Sequence, residues 1–165
     1  MRSQAKRAHS HATPTPAGSA TSLAYVPTDV EVVLANNAAF NRRDLDAMLA
    51  FYAPDADVVD HRHLGAMGDQ HGHAGLRAYY GSIFDNTTEL EENLEVLADG
   101  NGMVVAGCRT VAGLASDVGT ERMEFSYGMV LHMRDGLIQT LDLYDDGPAA
   151  LAASGLGAST PPASA

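Results

Sequence analysis

The hydrophobic pattern of the chain changes period near its middle. Ahead of Thr88 the apolar residues recur with the spacing of a helix, and beyond it they alternate like the two faces of a strand. Val30, Val33, Leu34, Asn37 and Ala38 fall at i, i+3, i+4, i+7 and i+8, with Thr28 placed to cap the helix and Asn37 as the odd polar member of the stripe. A second, shorter helix is predicted from Asp44, with Leu45, Met48, Leu49 and Tyr52 on one side and Pro54 as its stop. A third follows the glycine-broken GDQHGHAG and carries Leu76, Tyr79, Tyr80, Ile83 and Phe84 at the same spacing. Between the second and third helices, ADVVDHRHL reads as a lone strand.

The clearest alternation lies in ERMEFSYGMVLHMRDG, where Met123, Phe125, Tyr127, Met129, Leu131 and Met133 share the predicted core face. Arg134-Asp135-Gly136-Leu137 supplies a hairpin turn into LIQTLDLYDD, whose Leu137, Leu141, Leu143 and Asp145 share a face. Upstream, ELEENLEVLA turns through Asp99-Gly100-Asn101-Gly102 into MVVAGCRTVAGLA. The order helix, helix, strand, helix and four antiparallel strands defines an α+β architecture with the helices on one face of a curved sheet.

Length changes this picture only at the ends. The 165 residues make one domain with tails: residues 1–28 read as a disordered leader, 29–150 as the folded unit and 151–165 as a flexible tail rich in small residues. The leader lacks the uninterrupted apolar run of a secretory signal, and no segment has the roughly 18 apolar residues that a membrane span needs. Formal net charge is -11, and it becomes -14 without the three basic residues of the leader. A surface so acidic repels a phosphate backbone, which excludes nucleic acid as the main ligand. Cys108 is alone and no zinc spacing occurs, so nothing calls for an oxidising compartment and cytoplasm is expected. No glycine-rich fingerprint opens a helix after a strand, so no nucleotide cofactor is expected. A single lysine, Lys6, is the codon signature of a GC-rich bacterial genome.

NRRDLDAMLAFYAPDADVVD, then a glycine-rich loop and LRAYYGSIF, resembles the opening of the nuclear transport factor 2-like fold. SnoaL-like polyketide cyclases, ketosteroid isomerases and limonene-type epoxide hydrolases share that fold. The resemblance covers residues 29–147. It implies a cone-shaped α+β barrel, its curved, mostly antiparallel sheet wrapped around three N-terminal helices. It also implies a homodimer, and an apolar pocket that different members line with different polar groups.

The resemblance to the isomerases puts Asp60 where those enzymes carry their proton-shuttling aspartate. A carboxylate in an apolar pocket has its pKa raised by desolvation, which suits it to proton transfer near neutrality. The competing expectation is that Asp60 pairs with Arg62, its same-face neighbour. The isomerases' oxyanion-hole tyrosine falls at Asn36 and their pocket aspartic acid near Gly128 or Met129, so steroid isomerisation is disfavoured. Resemblance to the cyclases points to the end of the last strand, where Asp142, Asp145 and Asp146 lie, and period 2 turns Asp145 toward the core. An epoxide-hydrolase arrangement would need Arg62 or Arg109 with Asp60 and Asp145. His61, His63, His71 and His73, with Asp60 and Asp69 near them, form a possible transition-metal set or a pocket rim.

The sequence therefore nominates Asp60, His63 and Asp145 as catalytic residues, with no metal. Asn36, Phe40, His61, Arg62, Tyr79, Met123, Tyr127 and Met129 are the expected substrate contacts. The expected function is a cofactor-free cyclase or isomerase moving protons on a small, largely apolar, polyketide- or terpenoid-like molecule. Alternatives are an epoxide hydrolase of the same fold, a non-catalytic ligand-binding or dimerisation module, and a metal-dependent enzyme using the histidine run.

Overall fold

The computed structural model describes residues 25–63, 67–116 and 119–157, apart from the side chains of Ala115 and Ser116. The expected leader, up to residue 24, and the end of the expected tail lie outside the described residues. Helix α1 (Asp29–Asn41) starts as the sequence predicts. The Thr28 hydroxyl accepts from the Glu31 backbone N–H at 3.3 Å and the Glu31 carboxylate accepts from the Thr28 N–H at 2.8 Å, a reciprocal capping box. Its buried face is Val32, Val33, Asn36, Ala39 and Phe40, rotated from the predicted stripe, and Leu34 is exposed. Valines and leucine lie on several sides of this helix, so tertiary packing rather than periodicity selects the face.

Helix α2 (Leu45–Leu49) is capped by the Asp44 side chain, which accepts from the Ala47 N–H at 3.1 Å. It ends at Ala50, and Pro54 lies inside strand β1 (Tyr52–Asp60) rather than stopping the helix. The register of β1 against its parallel neighbour shifts between Tyr52 and Asp57, so the missing proline N–H falls at a break in the ladder. After the two-residue strand β2 (Gln70–His71), which the sequence reading lacks, comes α3 (Gly72–Asn86) with Leu76, Tyr79 and Tyr80 buried.

Four long strands follow: β3 (Thr87–Gly100), β4 (Met103–Ser116), β5 (Gly119–Arg134) and β6 (Leu137–Tyr144). Asn101-Gly102 and Asp135-Gly136 all have positive φ, the conformation that tight hairpins require. The six-stranded sheet has the order β2-β1-β6-β5-β4-β3, with β1 and β6 parallel and all other neighbours antiparallel. Alternate residues sort to its two faces. Val104, Ala106, Met129, Leu131 and Leu141 join Val33, Phe40, Met48, Leu76 and Tyr80 from α1, α2 and α3 in the main core. Met123 and Phe125, expected in that core, are 43% and 39% exposed, because they lie in the first half of β5, residues 119–126, which is exposed throughout, whereas residues 128–131 are buried. Among the described residues no helix is long and apolar enough to cross a membrane.

The structure adds a fourth helix, α4 (Gly147–Ser154), on the opposite face of the sheet. Helices are therefore not confined to one face, and ordered chain continues past residue 150. Asp146 caps α4 by accepting from the Ala149 N–H at 2.7 Å, proline occupies its first turn, and Gly155 ends it in the left-handed conformation. Ala150, Leu151 and Leu156 pack on Val105 and Val130. The helix approaches β5 so closely that a Cβ at Gly128 would lie 2.1 Å from the Asp146 carbonyl oxygen and 2.7 Å from the Ala150 Cβ. Gly128→Ala is expected to cost about 1–3 kcal/mol, measured by denaturant unfolding. A wild-type midpoint would show that α4 shifts aside without penalty.

Candidate active site

Between α1, α3 and the inner sheet face lies a cavity of about 650 Å³, lined mainly by apolar and tyrosine side chains. Its most unusual member is Glu92 of β3, which is 6% exposed. Asn37 Nδ2 donates to Oε1 at 2.7 Å, while the Thr110 hydroxyl, at 3.2 Å, and the Tyr127 hydroxyl both donate to Oε2. Burial lifts the Glu92 carboxyl above the ordinary range against the opposing effect of these three donors. Burial, then the charge of Glu92, lifts the Tyr127 phenol well above its usual value.

Arg62 closes over the same group. Its guanidinium carbon lies 5.6 Å from the centre of the Tyr127 ring, a cation-π approach. Burial raises the Tyr79 phenol, and the neighbouring Arg62 charge pulls it the other way. Deeper in the core the hydroxyls of Tyr52 and Tyr80 meet at 3.1 Å.

Asp60 does not line the cavity. Its side chain is 1% exposed, and its carboxylate accepts from Arg62 Nε at 2.8 Å, Arg62 Nη2 at 2.6 Å, the Arg62 N–H at 3.2 Å and the Met67 N–H at 3.0 Å. Burial pushes this carboxyl up, but the bonds from the Arg62 side chain and the two backbone N–H groups prevail and hold it below the ordinary range. The expected rise is reversed, because desolvation acts on a carboxylate already surrounded by donors. Met67 and Arg62 themselves line the cavity, so Asp60 fixes the wall from behind.

Asp145 stands at the cavity edge and pairs with the exposed His63, accepting from its backbone N–H at 2.9 Å and bonding Nδ1. That contact lifts the imidazole and lowers the carboxyl, at a site open to water. His63 is not a lining residue. His61, also outside the cavity, stacks on Tyr144 and bonds Asp142 at 2.8 Å; His132 meets the other Asp142 oxygen at 3.0 Å. His71 pairs with Asp57 at 2.6 Å and His73 reaches the Tyr52 carbonyl at 3.0 Å. The four histidines of the run thus go to four different partners. Among the described residues no three His, Cys, Asp or Glu side chains are arranged to hold a metal ion.

Of the predicted contacts, Asn36, Phe40, Arg62 and Tyr79 line the cavity, as do Met123, Tyr127 and Met129. Asn36 is turned inward to Met48, donating from Nδ2 to its carbonyl at 3.1 Å. Sequence reasoning missed Glu92 and its support from Thr110. The signal was there: Leu90, Glu92, Leu94 and Val96 share one parity, and Glu92 is the one charge among them, as Asn37 is the odd member of its helix.

Solved structures share this α+β fold. TerC, co-crystallised with polyporic acid, is 21% identical with a TM-score of 0.61, over 78% of this chain and 96% of that one. A candidate polyketide cyclase from Xanthomonas campestris pv. campestris is 25% identical, TM-score 0.56, over 75% and 94%. A protein with a ketosteroid isomerase-like fold from Catenulispora acidiphila is 21% identical, TM-score 0.57, over 80% and 98%. No curated protein matches the sequence. The SnoaL-like domain matches residues 33–140, more than half of the chain, and the protein belongs to that family.

Proposed function

We propose that the protein catalyses proton transfer at carbon, as a cyclase or isomerase of a small, largely apolar, polyketide-like molecule, with Glu92 as general base and acid. The observation that carries this reading is a buried carboxyl, raised in pKa, facing an apolar cavity. A base whose pKa is lifted toward the working pH balances ionisation against proton affinity. Tyr127 and Thr110 occupy Oε2, whereas Oε1 receives only Asn37 among these donors, so Oε1 is the atom that takes the substrate proton. Charge that develops on the substrate oxygen is stabilised by the Arg62 guanidinium, oriented by Asp60 and flanked by Tyr79. Return of the proton from Glu92 to a second carbon completes an isomerisation. In a cyclisation the enolate carbon attacks a second carbonyl carbon, its C=O π bond opens to an alkoxide, and that oxygen takes the proton back from Glu92. Asp60 takes an orienting role here, and Asp145 with His63 forms the rim. Family membership and the likeness to TerC and to the Xanthomonas protein support the substrate class.

The test is deuterium wash-in from D2O into a panel of cyclic 1,3-diketones and β,γ-unsaturated ketones, followed by NMR. Exchange above the buffer rate is expected for at least one compound. Saturable binding with no exchange across the panel would favour a binding module.

A further inference from the structure

Asn41, the last residue of α1, reaches across to the backbone of Glu92. Strand β3 is the last in the sheet order, so among the described residues one side of its backbone has no strand neighbour. An edge of this kind leaves N–H and C=O groups unpaired. At Glu92 both groups are taken by one side chain: Asn41 Oδ1 accepts from the Glu92 N–H at 2.7 Å and Asn41 Nδ2 donates to the Glu92 carbonyl at 2.8 Å. The primary amide thereby stands in for a neighbouring strand at a single residue. One helical turn earlier, Asn37 holds the Glu92 carboxylate, and Asn41 Nδ2 also reaches Asn37 Oδ1 at 3.5 Å. Two asparagines at i and i+4 of α1 therefore hold the backbone and the side chain of the same residue.

Resting on the assignment of Glu92 as the acid/base group, we infer that Asn41 is a positioning residue that sets where the Glu92 carboxyl sits relative to the substrate. It touches no reacting atom. Without it, the segment just after α1 remains tied to the end of α3 and the start of β3 through Arg43, whose Nη1 donates to the Phe84 carbonyl at 3.2 Å and the Thr87 carbonyl at 2.8 Å. Arg43 is thus a control for simple fastening of the helix end.

The experiment compares wild type, Asn41→Ala, the near-isosteric Asn41→Asp and Arg43→Met, all as full chains labelled with 13C at the glutamate carboxyl. Glu92→Gln identifies the Glu92 resonance. Its titration midpoint, the melting temperature and the deuterium wash-in rate are read for each. Asn41→Ala is expected to slow wash-in at least tenfold well below its melting temperature and to move the Glu92 midpoint toward that of surface glutamates. Asn41→Asp, which adds an anion and removes the donor, is expected to move the midpoint upward, and it answers the question if the alanine variant does not fold. Arg43→Met is expected to lower the melting temperature with midpoint and rate unchanged. If the Asn41 variants lower only the melting temperature, Asn41 is a structural fastener and the inference is overturned. A wild-type Glu92 that titrates with the surface glutamates is a separate result, which sinks the acid/base assignment and the inference with it.

Discussion

Glu92→Gln is expected to slow carbon-acid exchange by about 10²- to 10⁴-fold, the usual contribution of a positioned general base. The variant should fold, because the new amide nitrogen replaces Oε2 opposite the Tyr127 and Thr110 hydroxyls, which can turn to accept. The same substitution is expected to raise the melting temperature at neutral pH. A carboxyl whose pKa is raised on folding binds its proton more tightly in the native state, so stability is full below the unfolded pKa of about 4.3 and falls as pH rises through the folded value. Glutamine carries no such penalty. Melts of both proteins should therefore nearly coincide at acid pH and separate at pH 8, with the variant the more stable. Wild-type exchange in the folded variant would remove Glu92 from the chemistry.

Asp60→Asn should act mainly on stability. The Asp60 side chain is 1% exposed and that of Arg62 13%, so the substitution removes a buried carboxylate charge from beside the guanidinium, a loss of about 3–5 kcal/mol. Denaturant unfolding measures this directly. The pH dependence has the opposite sign to that of Glu92. A lowered carboxyl pKa gives stability that is present above the unfolded value and lost as pH falls through the folded one. Wild type should lose stability in acid more steeply than the variant does. Exchange per folded molecule should fall less than in Glu92→Gln, through a displaced Arg62. A stable Asp60→Asn protein with no exchange would return the acid/base role to Asp60.

Periodicity made most of the elements legible. The alternation of Met123 through Met133 and the Asp135-Gly136 turn specify β5, β6 and their hairpin, and Leu76, Tyr79 and Tyr80 mark the buried side of α3. The inner face of α1 was not legible, since a helix with apolar residues on several sides has no unique orientation until its neighbours pack. Helix α4, built of Gly, Pro, Ala, Leu and Ser, lacks a polar side, and its residues past 150 read as tail; its place is set by contact with a glycine distant in sequence. The site divides in the same way. Arg62, Tyr79 and Tyr127 lie on faces that local pattern turns inward, and they line the cavity. The roles of Asp60 and Glu92 depend on donors that tertiary structure brings to them. For Asp60 these include the Met67 N–H, and for Glu92 they come from α1, β4 and β5.

The parallel pairing of β1 with β6 has a consequence for the order in which the protein is made. Among the described residues its first strand has only the short β2 and the last strand as sheet neighbours. Arg62 lies just beyond the end of that first strand, whereas Glu92 and Tyr127 belong to the meander that follows. On a ribosome the Arg62 side of the cavity waits for its long partner strand β6, which emerges after β3, β4 and β5. Closing so long a loop carries an entropic cost before its contacts form, which places such topologies among slower folders. Assembly of the pocket is thus a late step of folding, coupled to the docking of the strand that completes the sheet.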